Sequence, residues 1–145
     1  MSQRKMNALE WNEGLNLAAK EHCNDLGPQG LRGHFGTDES SPFDRISKYG
    51  KPGWWRGENL RFGVNALKGM TADEADKEAL RIVLSLFIDE GLAGRPSRHR
   101  MLNQEFNLVG IYSCPHKNAD AAMTVIDYAG TLKLNENTRQ GVMEA

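Results

Sequence analysis

Cysteine is scarce in this chain. Cys23 and Cys114 are the only two among 145 residues, and no Cys-x-x-Cys spacing occurs. That is too few for a disulfide framework. Two readings stay open: one long-range bridge, as oxidising compartments allow, or two buried thiols. No apolar run approaches the ~20 residues that a membrane-spanning helix needs. The amino-terminal Met1-Ser2-Gln3-Arg4-Lys5-Met6 has no apolar stretch of the signal-peptide kind. Charge of one sign is missing too. The 18 basic and 19 acidic residues leave a net −1, which points to neither nucleic acid nor an anionic membrane as partner. Repeats, low-complexity tracts and interdomain linkers are absent.

What remains is the composition of an ordinary folded domain, 39% apolar and 26% charged, of a size that buries most of its apolar surface without staples. The expected layout is one domain over 1–130 and a loose polar tail over 131–145. Asn12 is a good N-cap, and Trp11, Leu15, Ala18, Ala19 and His22 recur at helical spacing until Gly27-Pro28-Gln29-Gly30. On that apolar side His22 reads as a hydrogen-bonded core histidine. Ser41 as N-cap, Pro42 at the first helical position and Asp44 in the first turn announce a short second helix. Residues 50–70 read as loop-rich, with five glycines and the pair Trp54-Trp55, which are expected to anchor core or loop.

The third helix is announced by Thr71-Ala72-Asp73-Glu74, a capping box. Its apolar stripe is Ala72, Ala75, Ala79, Ile82, Val83, Leu86 and Phe87, and Gly91 ends it. Asp89 and Glu90 break a local rule there. The C-terminal turn of a helix favours cations, so each misplaced carboxylate costs about 0.3–1 kcal/mol; such violations occur at functional sites. Arg95, Arg98 and Arg100 can offset the charge. Ser97 caps a short turn carrying His99. Phe106–Ser113 and Met123–Ala129 then read as an antiparallel strand pair, with Gly110 marking a close approach of another backbone.

Chemistry-capable side chains stand in four separate segments: Gly33-His34-Phe35, Gly57-Glu58-Asn59-Leu60, Ile88-Asp89-Glu90-Gly91 and Arg98-His99-Arg100. Together with Leu9-Glu10-Trp11-Asn12, Val109-Gly110-Ile111 and Ile126-Asp127-Tyr128-Ala129, they resemble, in this order, the CAP superfamily of cysteine-rich secretory proteins, antigen 5 and plant pathogenesis-related proteins. The likeness is strongest to its compact bacterial and protist form and runs from about Leu9 to Ala129. It implies an α+β fold, a three-layer α-β-α sandwich with a small central antiparallel sheet, and an extracellular protein. It also implies a cleft with two histidines and two acids. These are His34, Glu58, Asp89 and His99, with Glu90 beside the third position. Two features depart from the family. The helix that relatives carry before the Leu-x-Trp segment is replaced by a few polar residues, so either the chain is trimmed there or a neighbouring element, a second copy of the chain being one candidate, covers that face. The cysteine-rich C-terminal extension of animal members is absent.

His34 and His99 would then hold Zn2+ or another divalent metal, with Glu58 and Asp89 as acceptors that orient the rings. A small molecule, lipid or peptide is the expected ligand. The competing expectation is a metal-assisted hydrolase with Glu58 or Asp89 as general base. Cys23 beside His22 is no protease dyad, because adjacent helical residues do not face each other.

Overall fold

The computed structural model describes residues 8–63, 71–88, 96–118 and 122–144. Asn12 caps as its chemistry predicts. Its side-chain oxygen accepts from the Leu15 N–H at 3.1 Å, and helix α1 (Glu13–Leu26) follows. Ser41 and Asp44 form a reciprocal capping box before α2 (Pro42–Ser47). The Thr71 hydroxyl and the Glu74 carboxylate do the same for α3 (Ala72–Ile88). A fourth helix, α4 (Pro96–Met101), carries His99.

The sheet has four strands in the order β1 (Glu10–Trp11), β4 (Leu108–Pro115), β5 (Ala122–Ala129) and β3 (Arg56–Gly63). Strands β4 and β5 pair antiparallel, as their alternating patterns predict, and β3 pairs antiparallel with the other edge of β5. Only the short β1 runs parallel to its neighbour. The stretch read as loop over 50–70 is in part strand: β3 crosses Gly57 and Gly63, which obscure its pattern, and β2 (Gly50–Pro52) precedes it. Residues 64–70 lie outside the described ones.

Strand β5 sits between two helical layers and is buried along its whole length. Met123, Val125 and Ala129 face α1, where they meet Ala19, Cys23 and Ala18. Ile126 and Tyr128 face the other way, against Leu86 of α3 and Phe106. The result is the expected three-layer arrangement. Cys23 and Cys114 are joined, with an S–S distance of 1.96 Å and a sequence separation of 91. In the chain-entropy picture, a loop of that length contributes about 4–5 kcal/mol.

Gly110 brings α1 down onto the sheet. A Cβ there would stand 2.2 Å from the Asn16 nitrogen and the Leu15 carbonyl carbon, so only glycine fits.

Three expectations change. Residues 131–145 are not a loose tail: β6 (Leu132–Leu134) pairs with β2, and α5 (Glu136–Glu144) packs on α1. The tail's polarity hid an element that buries little beyond Leu132 and Thr138. On α3 the expected stripe is narrower than seven residues. Ile82 and Leu86 reach the core and Glu78 is buried one turn earlier, whereas Ala72, Ala79 and Val83 are exposed. Among the described side chains, Glu78, Ile82 and Leu86 form a row spaced by four toward the sheet. The Phe87 side chain lies outside the described ones. Trp54 is 82% exposed and Trp55 45%, so neither is a core anchor.

Candidate functional site

Three residues in register across the sheet build the floor: Gly110 on β4, Asp127 on β5 and Glu58 on β3. All three lie on the α1 side, because side chains alternate along a strand. Glu58 is buried, and both its oxygens are engaged. Oε1 accepts from His34 Nδ1 at 2.8 Å, and Oε2 accepts from Arg45 Nη2 at 2.9 Å. His34 itself stays open, with 45% of its side chain exposed. With Nδ1–H donating to the carboxylate, its Nε2 carries a lone pair.

Arg45 is the fastener. From the buried face of α2 it also donates to the His34 carbonyl and the Ser40 carbonyl, each at 2.9 Å. One guanidinium thus ties the loop holding His34 to the carboxylate beneath it. His22, fully buried on α1, donates from Nε2 to the Gly33 carbonyl at 2.7 Å, and the same nitrogen stands 4.0 Å from Glu58 Oε1. The core-histidine reading of His22 holds, and it borders the site. Gly33 has φ +130, a conformation that admits glycine and sets the turn into His34. Asp25 secures the far side of the loop by accepting from the Thr37 N–H and hydroxyl.

The electrostatics follow from burial. Desolvation pushes the Glu58 carboxyl up, but the His34 hydrogen bond, the adjoining Asp127 carboxyl and the Arg45 charge outweigh it and hold the group below its ordinary value. Asp127 goes the other way: burial, then the neighbouring Glu58 charge, raise it well above the usual carboxylate range. Burial also lowers His22, against the pull of Glu58, so its ring is neutral near pH 7.

The opposite face of β3 is organised by an amide. Asn59 donates to the Ser97 carbonyl of α4 and to the Tyr128 hydroxyl, both at 3.3 Å, and accepts from Arg100. Tyr128 is pushed up to about 12, chiefly by burial. His99 is exposed on α4, which packs against β3 from this side.

The structure therefore joins His34 and Glu58 directly and sets His99 on an adjoining helix. Asp89 and Glu90 lie outside the described residues. Among the described residues, no group of three or more His, Cys, Asp or Glu side chains converges to hold a metal ion. No described helix is long and apolar enough to cross a membrane. A hollow of about 520 Å³ between α1, the end of α2 and α5 is elsewhere, lined by Leu17, Tyr49 and Val142. Its polar rim is already in use, since Tyr49 donates to Glu21 and Asn135 to the Lys48 carbonyl.

Sequence reasoning missed Arg45 and Asp127. For Asp127 a signal existed: it is the one charged residue in the otherwise apolar alternate set Met123, Val125, Asp127, Ala129. For Arg45 the signal is weaker, a cation beside the buried Ile46 on a six-residue helix.

The profile of the CAP, Cysteine-rich secretory protein family matches residues 2–128. Among solved structures, an outer surface protein from Borrelia burgdorferi is similar with a TM-score of 0.63 at 19% identity, covering 90% of this chain and 80% of that one. An extracellular protein containing an SCP domain from Bacillus anthracis str. Ames has a TM-score of 0.56 at 13% identity, covering 86% of this chain and 34% of its own. The present chain thus spans about a third of that protein. At these identities the likeness is one of fold. The sequence matches no curated protein.

Proposed function

Because the chain belongs to the CAP, or cysteine-rich secretory protein, family, we propose that it is an extracellular-type binding module whose cleft takes a divalent cation and a small ligand or peptide at His34. One observation carries this reading. A half-exposed imidazole rests on a buried carboxylate that is itself fastened by a buried arginine. That backing selects the Nδ1–H tautomer and aims the Nε2 lone pair outward, as outer partners of metal-bound histidines do. His99 is the second proposed ligand, contributed by α4. A bound divalent ion would supply Lewis acidity to whatever ligand shares the cleft. The extracellular setting is supported by what the two similar structures are and by the Cys23–Cys114 bridge.

The test is a calorimetric titration of zinc into metal-free protein, beside H34A, H99A and the double variant. Micromolar or tighter binding lost in H34A supports the reading, and H99A reports whether the second ring takes part. Binding unchanged in the double variant would overturn it.

A second reading, metal-assisted hydrolysis, is favoured by the same dyad but with a different division of labour. Both Glu58 oxygens are engaged and the side chain is 1% exposed. Glu58 would then orient His34, whose single Nε2 lone pair goes to the metal, and the base would be Asp89. E58Q should in that case reduce turnover of a peptide-ester library without abolishing zinc binding.

A further inference from the structure

Every buried side-chain polar atom without a hydrogen-bond partner among the described residues belongs to the cluster around Glu58: His22 Nδ1, Arg45 Nε and both oxygens of Asp127. Such orphans ask for a physical reason. Asp127 is the extreme case. It is 0% exposed, sits in the middle of the central strand, and stands directly across from Glu58 on β3 and Gly110 on β4. Neither oxygen meets a donor, yet the Glu58 carboxyl is within hydrogen-bonding reach. Two carboxylates cannot bond to each other; a carboxylic acid and a carboxylate can.

We propose that Asp127 is a neutral, protonated acid in the folded protein, and that its O–H positions the Glu58 carboxylate beneath His34.

The charges around the pair agree. Glu58 already has Arg45 and the His34 N–H as partners, so it is the member that keeps the negative charge. Glu58 faces Asp127 from β3, the Arg45 charge of α2 acts on both acids, and His22 of α1 acts on Glu58. The β4 neighbour, Gly110, offers no side chain, and the α1 backbone rests on it. One cation therefore serves two acids. Burial and the Glu58 charge both favour the uncharged form of Asp127. Asp127 touches no ligand in this scheme. It acts through Glu58, so it is a positioning residue, and the assignment stands whether or not the cleft takes a metal.

Infrared difference spectroscopy of the metal-free protein at neutral pH tests it. The wild type should show the carbonyl stretch of a protonated carboxyl, shifted by ¹³C-labelled aspartate and lost in D127N. Imidazole NMR supplies the second readout. D127N, whose amide still donates to Glu58, should keep the His34 Nδ1–H tautomer, whereas D127A should lose it to a mixture. Absence of the band in the labelled wild type would overturn the proposal without any variant having to fold. So would a band insensitive to aspartate labelling, or a His34 tautomer equally unmoved by D127N and D127A. Zinc affinity plays no part in these readouts, so failure of the cleft reading and failure of this one are separable.

Discussion

Strand β5 turns Ile126 and Tyr128 toward α3 and α4, and Val125 and Asp127 toward α1, so one strand borders two different interiors. The α3 side is held as most cores are. Leu86, Phe106 and Ile126 pack together, Phe106 stacks on Tyr128 with ring centroids 5.3 Å apart, and the cations there, Arg61 and Arg100, donate to the neutral side chains of Ser85 and Asn59. On the α1 side, apolar packing around the disulfide gives way, within one strand, to a buried arginine, two carboxyls and a histidine. Hydrophobic burial is tolerant of small changes. A buried charge cluster is not, because each member is a liability without the others. The comparison teaches that this domain places its stability and its chemistry on opposite faces of one strand.

The comparison would break first at Arg45. R45A leaves Glu58 buried without its cation and should cost about 3–5 kcal/mol in urea unfolding. A loss below about 1 kcal/mol would mean that water screens the cluster. Next comes G110A, whose new methyl would meet the α1 backbone at 2.2 Å. It should cost about 1–3 kcal/mol and weaken hydrogen-exchange protection around the His22–Gly33 contact. I126V on the other face should cost about 0.5–1.5 kcal/mol and leave the His34 ring spectrum unchanged. A change in that spectrum would show that the two faces are coupled.

Acidity supplies the finest test. The lowered Glu58 contributes stability that is present above its unfolded value near 4.5 and lost as pH falls through its folded value. The raised Asp127 behaves oppositely: its contribution is complete below its unfolded value near 3.8 and is lost as pH rises toward its folded one. Denaturant unfolding from roughly pH 4 to pH 8 should therefore favour D127N over the wild type increasingly as pH rises. Parallel profiles would place Asp127 among ordinary carboxylates.

Local signals made much of the fold legible. Asn12, Ser41 and the Thr71–Glu74 box each start a helix through bonds spanning three residues, and Gly110 announced a close approach that is there. The site was legible only as four scattered segments whose family likeness paired His34 with Glu58. What was hard to read is what depends on burial: in a sequence Arg45 looks like any surface charge, and Asp127 stands out only by its place in an apolar alternate set. The strand β3 and helix α5 were hidden for a related reason. Glycines interrupt one pattern, and polar residues blanket the other.

Asn135 gives the fold a particular timing. Its N–H and side-chain amide bond the Tyr49 and Lys48 carbonyls, where α2 ends, across a separation of 87 residues for the side-chain contact. The helix that carries Arg45 is therefore finished by a residue that leaves the ribosome long after it. During synthesis the carbonyls at the end of α2 stay open until a partner 87 residues downstream arrives.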